Sequence, residues 1–314
     1  MLARNFTQHA WSAQIEEDLR RLTRLAVYED LDRGQDWTTV CLVPDGATAA
    51  AHVVARQAGV IAGLPAIKVI FDEMDIAADV QLAANDGEAV QTGTRLATIS
   101  GSARDLLTSE RILLNLLSRL SGIATLTRRF VEAISGTKAK IYDTRKTTPA
   151  WRRLEKYAVH CGGAGNHRTG LYDAILIKDN HLAFGSEQAD DAAYSPAQAI
   201  RAARAFLAQQ IGPEPPRGAP DPQMLIEIEV DSPEQLRDVL PEQPDIVLLD
   251  NMSLEQLREA VNMRNDGGYP SELEASGGVN LQTVCGIAET GIERISCGAL
   301  THSAVSLDLA LDWQ

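Results

Sequence analysis

The stretch Ile226–Asn251, IEIEVDSPEQLRDVLPEQPDIVLLDN, shows the pattern that decides the fold. A short apolar run ends abruptly in acidic residues, an amphipathic stretch of helical character follows, and a second apolar run ends in Asp250 and Asn251. Two strands that are separated by a helix run in the same direction when they join one sheet. This stretch therefore predicts a β/α unit of a parallel sheet.

The same pattern occurs six times in the chain. The apolar runs with their polar or glycine ends are Ile141–Lys146, Ile175–His181, Ile226–Asp231, Ile246–Asn251, Leu273–Gly278 and Ile295–Ala299. Six such units predict a parallel sheet that alternates with helices, as in α/β barrels, which carry their chemistry at the carboxyl ends of the strands. A doubly wound open sheet is the alternative, but neither a G-x-G-x-x-G after a first strand nor a G-x-x-x-x-G-K-[ST] occurs in the sequence. We therefore predict an α/β barrel.

The remaining segments predict a smaller β-rich domain and an insertion. The expected features are an amphipathic helix over 15–25, strands within 48–99, a pair of strands around a glycine turn in 87–101, an apolar helix over 104–120 that ends near Gly122, and a helix over 195–210. That last helix lies in an exposed insertion, 183–223, which ends in a proline-rich tail at 213–222.

The composition restricts the function classes. The chain has 314 residues, of which 45% are hydrophobic, a formal net charge of −14 and a pI near 4.9. Such an acidic chain lacks the extended basic face that binds nucleic acid. No apolar run of about 18 residues and no apolar leader occur, so we expect no membrane span. The four cysteines have no C-x-x-C spacing and predict free thiols in a cytoplasmic protein.

Positive charge is concentrated in Lys138–His181, a segment with a net charge of +5 within this acidic chain. Its cations at strand ends and in the glycine-rich loop 162–171 are Arg145, Lys146, His167, Arg168 and Lys178. Guanidinium and ammonium groups gathered in one pocket favour a small ligand with several carboxylate or phosphate groups. For Arg152, Arg153 and Lys156, which lie on a helix-like stretch, a solvated face is at least as good an explanation.

Acidic residues occur at the predicted strand ends as well. Glu227 and Glu229 alternate on one strand and share a face, Asp231 follows them, and Asp250 ends the next strand. Their carboxylates suit a magnesium ion with its waters or the hydroxyl groups of a ligand, and a salt bridge to Lys146 or Lys178 is the alternative for one of them. Ser276–Gly278 and Gly298 follow the last two strands, where such barrels bind phosphate, although tight turns also favour glycine.

Seven ordered motifs in these regions resemble the quinolinate phosphoribosyltransferase family. They are Glu110–Asn115, Asp143–Pro149, Gly162–Leu171, Lys178–His181, Glu227–Asp231, Leu248–Asn251 and Ser276–Gly278. The resemblance implies an open, seven-stranded α/β barrel over 123–302, beside a smaller N-terminal α/β sandwich domain over 1–122. Residues 303–314 would complete the smaller domain. Ala164 stands where the family usually has a glycine, and the 183–223 segment is longer than usual.

The resemblance also implies a reaction, in which quinolinate and phosphoribosyl pyrophosphate (PRPP) give nicotinate mononucleotide, pyrophosphate and carbon dioxide. Arg145, His167, Arg168 and Lys178 would bind the quinolinate carboxylates, and Arg111 would reach the same site from the partner subunit of a homodimer or a larger oligomer. Lys146, Glu229 and Asp250 would be the catalytic residues and bind PRPP together with Asn251, the two acids through Mg²⁺, directly or through water. The 5′-phosphate would be bound by Ser276, Gly277, Gly278 and Gly298.

Three other functions stay open at this point. A related enzyme could transfer phosphoribose to another anion, such as nicotinate, without decarboxylation, but the paired cationic motifs favour a dicarboxylate. A barrel lyase could use Lys178 as a Schiff-base nucleophile. A catalytically inactive binding subunit is disfavoured because every expected charged position is present.

Overall fold

A computed structural model describes residues 5–185, 194–210, 220–221 and 223–314. Within the predicted insertion, the described helix Pro196–Gln209 confirms the helix expected over 195–210. Its N-cap is Ser195, whose side chain accepts a hydrogen bond from the N–H of Gln198, while the Gln198 side-chain oxygen accepts one from the Ser195 N–H. The proline-rich tail lies outside the described residues, except for residues 220 and 221.

The described residues form helices and strands with the following bounds. The helices are α1 Ala13–Leu31, α2 Trp37–Leu42, α3 Ala66–Glu73, α4 Ala103–Ala133, α5 Arg152–Cys161, α6 Asp179–Phe184, α7 Pro196–Gln209, α8 Pro233–Val239, α9 Leu254–Asp266, α10 Val284–Ala288 and α11 Ala299–His302. The strands are β1 Thr48–Ala55, β2 Gly59–Val60, β3 Ala78–Leu82, β4 Ala89–Val90, β5 Arg95–Ser102, β6 Lys140–Tyr142, β7 Ile175–Ile177, β8 Ile226–Val230, β9 Ile246–Asp250, β10 Glu272–Ser276, β11 Arg294–Ser296 and β12 Leu309–Trp313.

The chain divides into two compact units, and the first contains a parallel sheet. This unit consists of the described residues of Met1–Thr7, Phe130–Arg145 and Gly165–Ala299. Its six strands lie in the order β6-β11-β10-β9-β8-β7. All six predicted strands are present, and the predicted α/β class with a parallel sheet is confirmed. In the place of a seventh strand, Gly165 forms a single parallel bridge with Tyr142.

The alternation of apolar runs and polar ends explains this sheet. Strand β9 is buried at its first four residues and becomes half-buried only at Asp250. Serines then begin the following helices, because their hydroxyl groups accept otherwise unpaired N–H groups of the first turn. Ser232 caps α8 in this way and Ser253 caps α9. Polar side chains are consequently gathered at the carboxyl end of each strand.

The second unit consists of Gln8–Arg129, Lys146–Ala164 and Leu300–Gln314 and contains an antiparallel sheet. The strand order is β12-β1-β5-β3, and β12 near the C-terminus pairs with β1 from Ala51↔Trp313 to Ala55↔Leu309. The boundaries predicted at 122 and 303 stay predictions. Two strands form in 87–101 as expected, but they do not pair with each other: β4 pairs with β2, and β5 pairs with β1 and β3.

The prediction that a helix ends near Gly122 is wrong. Helix α4 continues through Gly122 to Ala133, and the next residues on its apolar side, Ile123 and Ala124, are fully buried. A Cβ atom at position 122 would lie 2.1 Å from the carbonyl oxygen of Val305. Glycine is therefore required by the close approach of another segment of the same unit and does not mark a helix end.

None of the helices in the described residues combines the length and the apolar character that crossing a bilayer would require.

Candidate active site

The carboxyl ends of the six parallel strands carry most of the predicted site residues. Because neighbouring strands are parallel, these ends lie along one edge of the sheet. In strand order along this edge they are Arg145 after β6, Gly298 after β11, Ser276 at the end of β10, Asp250 at the end of β9, Glu229 in β8 and Lys178 after β7. Arg145, Lys178, Glu229 and Asp250, together with Arg168 from the loop before β7, whose pKa responds to the charge of Arg145, are called the strand-end site below.

Two guanidinium groups in the strand-end site influence each other. Arg168 is 6% exposed, and its Nη1 donates to the carbonyl oxygen of Ala174 over 3.3 Å. Burial and then the positive charge of Arg145 lower the pKa of Arg168. The Nε atom of Arg145 is buried and has no hydrogen-bond partner in the part of the chain that the structure describes. Two like charges held in this way favour an anion that binds both of them.

Lys178 and Glu229 form an ion pair in the strand-end site. Lys178 Nζ lies 2.5 Å from Glu229 Oε2, and the two side chains are 42% and 16% exposed. This is the salt bridge that the sequence left open as the alternative for one carboxylate. The ion pair requires the protonated amine, whereas a Schiff-base nucleophile requires the neutral one. The geometry therefore does not favour the lyase mechanism.

Asp250, Asn251 and the turn after β10 form a compact group. The Asn251 side chain donates to Asp250 Oδ2 over 2.8 Å, and the Asn251 N–H donates to the carbonyl oxygen of Ser276 over 2.9 Å. Gly277 has φ +94°, and a Cβ there would lie 2.1 Å from Asn251 Oδ1. Gly278 has φ +61° and open space in the Cβ direction. The turn therefore requires glycine for conformation and leaves room beside Gly278.

His167 lies deeper in the same unit and is 5% exposed. Its Nε2 is 3.0 Å from Glu227 Oε2 and 3.4 Å from Glu274 Oε1. Glu274 in turn accepts a hydrogen bond from Arg294 Nε over 2.8 Å, and Glu227 and Glu274 are both fully buried. His167, Glu227, Glu274 and Arg294 are called the buried ionic cluster below.

The opposite charges in this cluster shift the pKa values of its members. Burial favours the neutral ring, but the charges of Glu227 and Glu274 outweigh it and raise the pKa of His167 to about 10. Burial likewise opposes ionisation of Glu274, but His167 and Arg294 lower its pKa to about 2. The Arg168 N–H donates to His167 Nδ1 over 2.8 Å, which opposes a second ring proton. A protonated ring carries a proton on Nδ1 and would lose this hydrogen bond, so the two carboxylates raise the pKa of His167 against that cost.

Three members of the cluster, His167, Glu227 and Glu274, have ligand atoms within 4.8 Å of one another and could geometrically hold a metal ion. The distances of 3.0 and 3.4 Å from Nε2 are those of ion pairs, and Arg294 already compensates Glu274. Mg²⁺ prefers oxygen ligands and retains several waters, so a fully buried set with an imidazole does not suit it. The half-buried carboxylates of Glu229 and Asp250, on neighbouring strands, suit it better.

Two further predicted residues, Lys146 and Arg111, belong to the second unit. Lys146 is exposed, and its carbonyl oxygen accepts a hydrogen bond from Thr301 Oγ1 over 2.7 Å. The loop after it is held by the buried Glu155, which accepts from the Thr148 N–H over 3.0 Å. Arg111 is exposed on α4.

The sequence did not identify several buried charges. Lys156 is fully buried, so the solvated face considered for it is wrong: α5 is buried from Leu154 to Val159. Glu274 and Arg294 were not singled out, although Glu272 and Glu274 show the same alternation as Glu227 and Glu229. Ala164 is absent from the positive-φ residues of the described chain, so no glycine is needed there and the extra methyl group is accommodated.

The chain is similar to known proteins over most of its length. The family model described as "Quinolinate phosphoribosyl transferase, C-terminal domain" matches residues 123–312, and its N-terminal counterpart matches 36–121. A nicotinate-nucleotide pyrophosphorylase [carboxylating] from Mycobacterium leprae (strain TN) is 43% identical over 296 residues, which cover 93% of this chain and 96% of that protein. A probable nicotinate-nucleotide pyrophosphorylase [carboxylating] from Synechocystis is 40% identical and covers 90% of this chain and 88% of that protein.

A solved structure of the nicotinate-nucleotide pyrophosphorylase from Francisella tularensis has a TM-score of 0.85 and 31% sequence identity, covering 99% of this chain and 100% of that one. The fold and the charged strand-end site define an α/β enzyme of the phosphoribosyltransferase class. Within this class, the chain belongs to the quinolinate phosphoribosyl transferase family.

Proposed function

We infer that this protein transfers the phosphoribosyl group of PRPP to quinolinate with decarboxylation, and so forms nicotinate mononucleotide, pyrophosphate and carbon dioxide on the route to NAD. Membership of the family and the similarity over nearly the whole chain support this function. The single structural observation that carries it is the pair of neighbouring guanidinium groups of Arg145 and Arg168, which suits a dicarboxylate.

In the proposed complex, Arg145 and Arg168 bind the carboxylates of quinolinate. Lys178 joins them by exchanging part of its contact with Glu229 for a substrate oxygen, which its exposed position permits. His167 contributes mainly through the Arg168 N–H that it accepts, because Nε2 is engaged by Glu227 and Glu274. Arg111 completes the site from the partner subunit of a homodimer, a role that its exposure on α4 allows.

PRPP lies, in this proposal, against the other strand ends and Lys146. Glu229 and Asp250 would hold Mg²⁺ or the ribose hydroxyls with Asn251 beside them, and a bound ion would screen the negative charge of the pyrophosphate. Ser276, Gly277, Gly278 and Gly298 bind the 5′-phosphate. Open space beside Gly278 supports this assignment. Lys146, the residue after Arg145, would contribute a further positive charge for the phosphates.

The reaction then needs positioning and charge stabilisation more than acid–base chemistry. The pyridine nitrogen forms a bond to the anomeric carbon as the bond to pyrophosphate breaks, through an oxocarbenium-like state. The carboxylate beside the ring nitrogen next leaves as carbon dioxide. Its bonding electron pair stays on the ring carbon next to the cationic nitrogen, and a proton replaces it. The cytoplasmic location stays a prediction, which the presence of the four cysteines as thiols supports.

The test is an assay of the purified protein with quinolinate, PRPP and Mg²⁺, in which nicotinate mononucleotide and carbon dioxide are measured. We expect both products in equal amounts, and activity that requires all three additions. Product from nicotinate in place of quinolinate, without carbon dioxide, would instead favour the related transferase. Trapping of substrate on Lys178 by borohydride would favour the lyase.

A matched pair of variants tests the guanidinium observation. Arg145→Ala should lower kcat/KM for quinolinate by at least about 10²-fold, because a charge that faces the substrate is lost. Arg237→Ala, which removes an exposed arginine from the last turn of α8, should leave kcat/KM unchanged. Lys146→Ala and Arg168→Ala should resemble Arg145→Ala while the proteins stay folded. Near wild-type turnover in any of the three would contradict its role.

A further inference from the structure

The N-terminal segment contacts the residues behind the strand-end site. Phe6 is 5% exposed although it precedes every helix and strand of the described chain. It belongs to a buried apolar cluster with Ala174, Leu225 and Ile246, at or just before the amino-terminal ends of β7, β8 and β9. The segment thus covers the end of the parallel sheet opposite to the strand-end site.

The Phe6 ring also stacks on His167. The two ring centroids are 4.3 Å apart with an interplanar angle of 29°. The guanidinium carbon of Arg294 lies 5.2 Å from the centroid of Phe6, and the neighbouring Asn5 accepts a hydrogen bond from Arg294 Nη1 over 3.3 Å. Two residues of the segment therefore contact both cations of the buried ionic cluster.

Two contacts lead from Phe6 to Arg168. In the first contact, the His167 ring, on which Phe6 stacks, accepts a hydrogen bond from the backbone N–H of Arg168 over 2.8 Å. In the second, Ala174, which belongs to the same apolar cluster as Phe6, accepts a hydrogen bond from Arg168 Nη1 at its carbonyl oxygen over 3.3 Å. Both the backbone and the guanidinium of Arg168 are thus supported by residues that Phe6 contacts.

Phe6 also lies between the cluster and a cavity that the described residues form. Asn5 and Phe6 line a cavity of about 720 Å³ together with Leu171, Tyr172 and Phe206. Water that reached His167 from this side would hydrate Glu227 and Glu274 and weaken the charge interactions that hold the ring. An aromatic ring at position 6 therefore keeps the imidazole both dry and fixed in orientation.

We propose that Phe6, assisted by Asn5, is a positioning residue that fixes His167 and Arg168 for the binding of quinolinate. The inference rests on the proposed function, because it assigns Arg168 to the carboxylates of that substrate. Phe6 itself contacts no reacting group. Its loss should therefore weaken the binding of the pyridine dicarboxylate selectively and leave the use of PRPP almost unchanged.

The experiment compares Phe6→Ala, Phe6→Leu and Phe6→Tyr with the wild type in steady-state assays that vary each substrate in turn. For Phe6→Ala we expect the KM for quinolinate to rise about tenfold and the KM for PRPP to change less than about twofold. Phe6→Leu restores apolar volume without a ring and should be intermediate, whereas Phe6→Tyr retains the ring and should rescue most of the loss. Phe206→Ala is the matched control, because it removes a half-exposed ring that lines the same cavity.

A second measurement follows the stacking directly. In the wild type we expect the Phe6 ring current to shift the ring-proton resonances of His167. This shift should disappear in Phe6→Leu and persist in Phe206→Ala. If Phe6→Ala does not fold, Phe6→Leu decides the question by the same KM comparison. Equal KM changes for both substrates, or no change in the KM for quinolinate, would overturn the proposal. Inactivity of the wild type towards quinolinate would instead refute the proposed function.

Discussion

Glu227 and Glu229 lie two residues apart on the same face of β8, yet their surroundings differ. Glu227 is fully buried against His167, within a cluster that Arg294 and Glu274 complete. Glu229 lies at the edge, is 16% exposed and pairs with a lysine that is 42% exposed. Inside the sheet opposite charges face one another, although Glu227 Oε2, Glu274 Oε1 and Arg294 Nη2 have no hydrogen-bond partner among the described residues. At the strand ends, Arg145 and Arg168 place two guanidinium groups where an anion could bind both.

This difference shows how one strand can contribute both to stability and to the candidate site. A buried ion pair costs much desolvation free energy and is retained only when its partners are complete. An exposed pair contributes little stability and can exchange its partners for those of a ligand. We therefore expect the buried ionic cluster to determine stability and the arrangement of Arg168, and the strand-end site to determine turnover.

The largest expected effect separates these two roles. Glu274→Gln removes the carboxylate that compensates Arg294 and His167, so the free energy of unfolding should fall by about 3 to 5 kcal/mol. Glu229→Gln should change it by less than about 1 kcal/mol, because that pair is partly solvated. Urea unfolding followed by circular dichroism measures both variants.

Turnover should show the opposite order. Glu229→Gln should lower kcat by about 10²-fold or more while the protein stays folded, since Glu229 contacts PRPP or its magnesium ion in the proposed complex. Equal losses of stability in Glu274→Gln and Glu229→Gln would remove the distinction between the two regions.

The sequence predicts the position of the polar strand ends well but not the depth of each side chain. A run such as Ile246–Asp250 marks a strand because its apolar residues must be buried, and its last polar residue marks the edge. Alternation by two then places Glu227 and Glu229 on one face. It cannot tell which of the two is inside, because that depends on the partners His167 and Glu274 from other segments.

Other features depended on contacts that no local pattern records. Gly122 is typical of a helix end, but the segment that requires a glycine there, at Val305, is distant in sequence. Lys156 lies in an amphipathic helix whose polar side is also covered, so its burial follows from tertiary packing. Phe6 precedes every predicted element, and only the fold brings it to His167.

A smaller effect concerns pH. The pKa of His167 is raised from 6.5 to about 10, so its contribution to stability is fully present below pH 6.5 and is lost as the pH rises through 10. The pKa of Glu274 is lowered to about 2, so its contribution is present above pH 4.5 and is lost as the pH falls towards 2.

His167→Gln isolates the alkaline part of this dependence. The difference in unfolding free energy between the wild type and this variant should decrease by on the order of 3 kcal/mol between pH 6.5 and pH 10. Urea midpoints measured at intervals over this range provide the comparison. Parallel curves for the two proteins would mean that the buried ring carries no charge and that the N–H of Arg168 determines its state.

The smallest effect tests whether the strand-end site depends on backbone conformation. Gly277 and Gly278 both have positive φ, but only a Cβ at position 277 would collide with Asn251. Gly277→Ala should therefore destabilise the protein by about 2 kcal/mol and raise the KM for PRPP, because it displaces Asn251 from Asp250 and Ser276. Gly278→Ala should cost about 1 kcal/mol, since it meets conformational strain alone.

The comparison of these two alanines also separates a structural turn from a binding turn. If the turn only reverses the chain, the KM for PRPP should rise in Gly277→Ala, which displaces Asn251, and stay unchanged in Gly278→Ala. If the 5′-phosphate lies in the open space beside Gly278, a methyl group there occupies that space, and the KM for PRPP should rise in Gly278→Ala although its stability falls less. Unchanged PRPP binding in both variants would mean that the 5′-phosphate does not bind at this turn and that the glycines serve only the conformation of the strand end.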